Sequence, residues 1–318
     1  MSQDNWRSTT RNAVTEKQLS NKSYDKNAED LFPLVIPSFL AKTIDFKNDL
    51  DPILQQVMPT SNEFIQHKSY SNDPVGDLKA SAVPGVIHKY HGRVLLISTG
   101  ICAVNCRYCF RRNFDYAQNY ASKNNWQKAI QYLTNNKDVN EVILSGGDPL
   151  MLSSKVLKHF SQQLSQIKHI KTLRIHTRIP VVSPSRINKN FINWLNDLPF
   201  KKVMVLHINH PNELQDELKE IFQSIAQTKT VLFNQSVLLK GINDKPKTLA
   251  QLSHKLFDYG VLPYYLNQLD KAKGTIHFRV KNKTAKSIHN KLLQLLPGYL
   301  VPKLVEEISG KMNKSPLF

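Results

Sequence analysis

Cysteine is scarce in this 318-residue chain: there are 3, an odd number and far too few to staple 36.5 kDa, so a disulfide framework is excluded. Long apolar runs are missing too. No stretch approaches the roughly 20 apolar residues that a membrane span needs. The first twenty residues, MSQDNWRSTTRNAVTEKQLS, hold no apolar run that could serve as a signal peptide. The expectation is a soluble, cytoplasmic globular protein with no membrane partner. Acidic residues are few, 25 Asp plus Glu against 43 Lys plus Arg, which leaves a net charge of +18. What is present in quantity is apolar: 41% of residues, enough to sustain a core and to exclude disorder.

The basic excess raises a nucleic-acid reading, because cationic surfaces gain affinity for polyanions by releasing counterions. It is concentrated: from Lys271 onward there are ten Lys or Arg and only two acids, Glu306 and Glu307. A solvated basic helix face explains the same numbers, and composition does not choose between the two.

Residues 1–30 are polar and charged and read as an arm or a surface helix. Between Leu31 and Ser71, Pro33, Pro37, Pro52 and Pro59 cut a weak helical periodicity into short pieces, and Asp73–His88 reads as a turn-rich connection. A repeating pattern follows. β-rich runs at Arg93–Thr99, Glu141–Ser145, Thr172–Thr177, Lys202–Ile208, Thr230–Leu238 and Val261–Leu266 alternate with helical patterns at Asn125–Asn135, Ser153–Ile167, Pro184–Leu195, Asn212–Thr228 and Lys247–Tyr259. Such alternation predicts an α/β fold with a parallel sheet. No dinucleotide-type glycine pattern marks the first turn, so a partial (β/α)6-type barrel is favoured over a doubly wound sheet, with a last strand at Tyr299–Val305. The expected organisation is a helical N-terminal segment (1–88), the barrel (89–298) and a C-terminal segment (299–318). In such barrels the chemistry lies on the loops after the strands.

All 3 cysteines lie on one such loop, Cys102, Cys106 and Cys109 in CAVNCRYC, directly after the first barrel strand. Zinc asks for a fourth ligand, and no cysteine remains; His91 is the nearest alternative. A 4Fe–4S cluster held by three thiolates leaves one iron open for a ligand. CxxxCxxC with Tyr108 before the last cysteine resembles the signature of the radical S-adenosylmethionine (radical SAM) superfamily, and Ser145, Gly146, Gly147 and Asp148 in SGGDPL resemble its second motif. With no cysteine to spare, readings that require auxiliary clusters fall away.

The longer blocks DPVGD, HKYHGRVLL, CRYCFRR, LSGGDPL, RIHTRIPVVSPSRI, INHPNEL, NQSVLLKGIND and LPYYLNQLDKAKGTIHF resemble the lysine 2,3-aminomutases from Asp73 to the C-terminus. The resemblance implies an isomerase that moves an amino group by a radical route, using a 4Fe–4S cluster, S-adenosylmethionine and pyridoxal phosphate (PLP). It makes Lys314, in NKSPLF, the lysine that carries PLP, with Lys311 as fallback. Tyr90 and Arg93 correspond to PLP contacts, and Arg178 to a basic contact near PLP or S-adenosylmethionine. Tyr108 corresponds to the adenine contact, Gln235 to a polar contact of S-adenosylmethionine, and the GGD segment to the receiver of its amino group. Arg111, or Arg112 beside it, corresponds to the fork that grips the substrate carboxylate; Asp270 and Glu307 correspond to the pair that holds the distal amino group of L-lysine.

Two departures place the chain within the family. Glu307 stands where catabolic members carry aspartate, with Glu306 adjacent, and their longer zinc-binding C-terminal region has no counterpart. The resemblance is therefore to the short branch that makes (R)-β-lysine for elongation factor P. That branch implies a functional link to the factor's separate lysyl ligase and a reduced flavodoxin- or ferredoxin-type electron donor. An aminomutase for another amino acid, glutamate for instance, would need a cation where Asp270 and Glu307 stand. A basic RNA-binding iron–sulfur protein would explain the charge but not the blocks, so a nucleic-acid partner is disfavoured.

Overall fold

The computed structural model describes residues 5–19, 23–122 and 126–317. Asn125, the expected start of the first barrel helix, and Phe318 of NKSPLF lie outside the described residues. The strands are β1 Ser81–Val83, β2 Val86–Tyr90, β3 Arg93–Thr99, β4 Glu141–Gly146, β5 Thr172–Thr177, β6 Lys201–His207, β7 Thr230–Leu238, β8 Leu262–Gln268, β9 Lys303–Glu306 and β10 Ser315–Pro316. They form one sheet in sequence order. Neighbours from β3 to β9 pair in parallel, whereas β1, β2 and β3, like β9 and β10, pair antiparallel. β1 and β10 remain the two edges, so the sheet curls without closing. This is the expected partial barrel, with a mixed sheet because of its two antiparallel ends.

Each parallel step is made by a helix whose buried positions recur at helical spacing, as a crossover packed on one sheet face requires. Ser154–Ser165 buries Leu157, Phe160, Ser161 and Leu164, and its N-cap Ser153 accepts from the Val156 N–H at 3.3 Å. Asn282–Leu295 buries Ala285, Ile288 and Leu292 while Lys283 and Lys291 stay exposed, the solvated basic face. Within the strands the period of two decides what faces the barrel interior. On β5, Leu173 and Ile175 are buried on the face away from the cavity, Arg174 and His176 project into the interior, and Thr177 at the strand's end also borders the cavity.

Two expectations are corrected. Asp73–His88 is not a plain connection: β1 and most of β2 form a hairpin at its end. Its turn glycine, Gly85 (φ 81°), lies so near the backbone of Ala121 that a Cβ would come within 2.2 Å of the Ala121 nitrogen. Residues 1–30, in their described part, are not a loose arm. Trp6, Val14, Leu19 and Ala28 are buried. The Arg186 guanidinium lies 4.7 Å from the Trp6 ring, and Thr9 Oγ1 is 2.7 Å from Ser183 Oγ. Val14 and Leu19 share one apolar cluster with barrel residues such as Val94, Leu144 and Phe160. Among the described residues no helix is long and apolar enough to cross a membrane.

Candidate functional site

The C-terminal ends of parallel strands leave backbone groups unpaired and loops free to vary, so the loop after β3 is where chemistry is expected. Cys102, Cys106 and Cys109 lie there as free thiols and line one cavity of about 450 Å³ in the barrel interior. Burial, then the neighbouring Cys109 and Asp148, pushes the Cys102 thiol well above its ordinary value. Burial and Cys106 push Cys109 up to about 11. Three soft donors crowded in a low dielectric fit a cationic inorganic centre, which would hold them as thiolates. Among the described residues no three His, Cys, Asp or Glu side chains are grouped to hold a single metal ion. A 4Fe–4S cluster makes a different demand, one thiolate for each of three irons. His91 does not help a zinc site: it is exposed on the β2–β3 turn, at the opposite end of β3 from the cysteines, and does not line the cavity.

The N-terminal segment clamps this loop. Arg107, buried between two of the cysteines in sequence, donates to Glu63 from Nε (2.8 Å) and Nη2 (2.6 Å) and to the Ala28 carbonyl (3.0 Å). Arg112 also reaches Glu63, and it donates to the Gly274 carbonyl at 3.2 Å. The alternative carboxylate fork is thus occupied outside the cavity.

Gly146 and Gly147 press the end of β4 against the cysteine loop. Gly146 has φ 114°, and a Cβ on Gly147 would stand 2.4 Å from the Ile101 carbonyl oxygen. Gly147 N–H donates to Thr99 O (2.7 Å) and Asp148 N–H to Ile101 O (2.8 Å). The close approach that requires glycine is therefore to the cysteine loop, although both glycines also line the cavity. The Asp148 carboxylate is spent inside the protein: it accepts from Thr177 Oγ1 at 2.7 and 2.9 Å and from the N–H groups of Arg178 (2.7 Å), Ile179 (3.2 Å) and Leu150 (3.0 Å). Ser145 Oγ accepts from Arg111 at 3.2 Å.

Tyr108 is buried, its ring stacked on His207 with centroids 5.7 Å apart and its hydroxyl accepting from Asn209 (2.7 Å) and Arg178 (2.9 Å). Burial, then Arg178, drives His207 down to about 3, so it stays a neutral imidazole. Arg178 is turned towards the cysteines: Nη1 lies 2.8 Å from Cys106 Sγ, and Nη2 reaches Gln56 (2.9 Å) and Glu213 (2.8 Å).

The remaining residues form the charged wall of the same cavity. Arg111 donates from Nε to Asp77 at 2.7 Å, and Asp77 also meets Lys89 at 2.6 Å. Lys89 continues to Glu307 at 3.0 Å, and Glu307 to Lys314 at 3.2 Å. Burial by itself would raise the Glu307 carboxyl, but Lys314 and Lys89 outweigh it and hold it below its ordinary value. Lys314 Nζ donates to Asn267 Oδ1 at 2.9 Å and sits 5.5 Å from the centroid of the Tyr265 ring. Lys311 is exposed and does not line the cavity. Arg93 lies over the Tyr90 ring at 4.7 Å, and Gln235 projects into the cavity from β7. Asp270 differs from its neighbours. No side chain among the described residues is hydrogen-bonded or ion-paired with its carboxylate, and burial, only partly opposed by Lys314, pushes it up to about 7. Glu306 faces away, paired with Arg279 at 3.0 Å.

Several cavity residues were not singled out from sequence: Asp77, Lys89, Arg174, His176, Asn267 and the tilted ring pair Tyr264–Tyr265, with centroids 3.8 Å apart. Asp77 and Lys89 stood in the quoted blocks DPVGD and HKYHGRVLL without a role; only their meeting with Arg111 and Glu307 assigns them one. Arg174 and His176 could have been found from the alternation on β5, which directs both inward.

The sequence profile described as Radical SAM superfamily matches residues 96–248, the span that runs from within β3 through the cysteine loop and past β7 into the helix Pro246–Asp258. An L-lysine 2,3-aminomutase of Haemophilus influenzae is 42% identical over 322 residues, covering 98% of this chain and 95% of that protein. An Escherichia coli protein of the same name is 44% identical over 302 residues, covering 95% and 87%. One from Clostridium subterminale is 35% identical over 293 residues, covering 89% of this chain and 68% of its own.

Proposed function

This chain belongs to the lysine 2,3-aminomutase family of radical SAM enzymes, and from that premise we propose that it converts L-α-lysine to (R)-β-lysine with PLP, for attachment to elongation factor P by a separate lysyl ligase. The observation that carries the substrate is Asp270, a half-buried carboxylate in the cavity with no cation bound to it among the described residues, beside Glu307. A distal ammonium group supplies the missing partner. A distal carboxylate, as in glutamate, would meet two like charges instead.

The residues present fit the cofactors. The cavity wall carries six Lys or Arg against four Asp or Glu, a surplus suited to a phosphate and a substrate carboxylate. When bound, the cluster with S-adenosylmethionine supplies the hydrogen-abstracting radical, and PLP supplies a conjugated ring that delocalises the migrating centre. The chain places and shields. Arg111, fixed by Asp77 and Ser145, presents its remaining N–H edge to the substrate carboxylate. Asp270 and Glu307 set the far end of the side chain. Lys314 is the PLP lysine, held over the Tyr265 ring by Asn267 at 2.9 Å and by Glu307 Oε2 at 3.2 Å. Tyr90 and Arg93 would contact PLP, Gln235 and Gly146–Gly147 would face S-adenosylmethionine, and the cavity walls shield reactive intermediates from side reactions.

The test is product analysis of anaerobically reconstituted protein given a flavodoxin- or ferredoxin-type reductant, S-adenosylmethionine, PLP and a panel of amino acids. Chiral chromatography is expected to show (R)-β-lysine from L-lysine and no product from glutamate. Conversion of another amino acid in preference to lysine would overturn the substrate assignment.

A further inference from the structure

Arg178 occupies a place that amino-group migration does not account for. It directly follows β5, is 5% exposed, and donates from Nη1 to Cys106 Sγ (2.8 Å) and the Tyr108 hydroxyl (2.9 Å). Behind it, Glu213, 1% exposed, accepts from Nη2 at 2.8 Å, and Gln56 accepts from the same nitrogen at 2.9 Å. Glu213 is itself fixed, because its other oxygen accepts the N–H groups of Asn209 (2.9 Å) and His210 (3.0 Å). The guanidinium is therefore pinned on a cysteine sulfur by a carboxylate that is pinned in turn.

We infer that Arg178 and Glu213 form a buried charge pair that sets the reduction potential of the cluster held by the three cysteines. This rests on the reading of Cys102, Cys106 and Cys109 as cluster ligands. Reduction adds one electron, taken from an external one-electron donor, and makes the cluster more negative. A cation and an N–H donor on a ligand sulfur stabilise that more negative form and raise the potential. The Glu213 carboxylate, on the far side of the same guanidinium, cancels part of that field and lowers it. The pair makes the cluster reducible by its donor while tempering the loss of driving force towards S-adenosylmethionine. Arg178 is on this account a positioning and tuning residue, and a contact with PLP is not its main task. Removing one member should move the potential down and removing the other should move it up, which a merely structural role would not produce.

The experiment is a potentiometric titration, with dithionite as reductant and electron paramagnetic resonance of the reduced cluster as readout, on full-length, anaerobically reconstituted protein without S-adenosylmethionine. Iron and sulfide are counted first in every sample. Arg178→Gln is expected to lower the reduced-to-oxidised ratio at a given potential about tenfold, about 59 mV for a one-electron couple, and Glu213→Gln to raise it. Arg178→Lys, which keeps the charge and loses the fork, should fall between wild type and Arg178→Gln. Variants with full iron and sulfide whose midpoints are unchanged, or move in the same direction, would overturn the inference. So would loss of the cluster from all three variants when wild type retains it, since that describes a structural prop. If Arg178→Gln alone fails to assemble, an unshifted Glu213→Gln midpoint is sufficient to reject it. A wild-type protein that binds neither iron nor sulfide would instead reject the cysteine assignment on which the inference rests.

Discussion

Asp270 is the residue whose ionisation should be visible in kinetics. Burial raises its carboxyl to about 7, and only the ionised form attracts an ammonium group. For a group raised in this way, the binding-competent form is lost as pH falls through about 7 and gained as pH rises. Hence kcat/KM for lysine, which reports the free enzyme, should climb through a limb near pH 7. Asp270→Asn should abolish that limb and lower kcat/KM about a hundredfold, a buried charge losing its partner; a variant that keeps the limb would show that another group titrates. Lys314→Ala should remove the visible absorbance of bound PLP, and Lys311→Ala should leave it, since only Lys314 reaches the cavity. An unchanged spectrum for Lys314→Ala would contradict this assignment. At this scale the resemblance supplied names for the lysine and the acidic pair. The chain Arg111–Asp77–Lys89–Glu307–Lys314 was not legible, because it joins residues from four separated stretches through side chains alone.

Among elements, the contact of the cysteine loop with the loop after β4 is the tightest constraint near the site. A methyl group at Gly147 would stand 2.4 Å from the Ile101 carbonyl oxygen, and neither backbone can move without shifting the cysteines. Gly147→Ala should therefore cost about 1–3 kcal/mol and reduce iron bound per chain; full iron content at an unchanged Tm would sink that reading. The N-terminal clamp makes a second prediction. Glu63→Gln leaves Arg107 and Arg112 with no carboxylate between them, and breaking a buried pair of this kind costs about 3 kcal/mol, measurable as a lower denaturant midpoint. An unchanged midpoint would mean that the backbone carbonyls suffice to hold Arg107. The barrel strands were legible because hydrophobic alternation repeats along the chain; β3, β5 and β7 fall where their patterns place them. The hairpin of β1 and β2 was not, since short strands flanking Pro84 and Gly85 carry turn residues and no period. The clamp was not either: a polar segment with scattered apolar anchors such as Trp6 and Leu19 looks solvated until its partners are placed.

The whole molecule carries +18, and little of it is explained by the site, where six cations face four carboxylates. Lys283 and Lys291 show where much of the rest goes: they are exposed on a helix whose opposite face is buried. Charge alone suggested a polyanion partner, whereas the cavity suggests a small zwitterion with a cationic tail, and the barrel exists to hold that cavity together. The open sheet brings thiols after β3, glycines at the end of β4, Arg174 on β5 with Arg178 just after it, and Asp270 after β8 around one interior. On this reading the interior moves an amino group within one molecule of lysine. The most direct measurement is nuclear magnetic resonance of L-lysine labelled with ¹⁵N at the α-amino group, incubated with reconstituted enzyme, reductant, S-adenosylmethionine and PLP. The ¹⁵N label is expected to leave C2 and appear on C3 of the same carbon skeleton. Label that stays on C2, or is released to solvent, in a sample with full cluster and PLP content would contradict it.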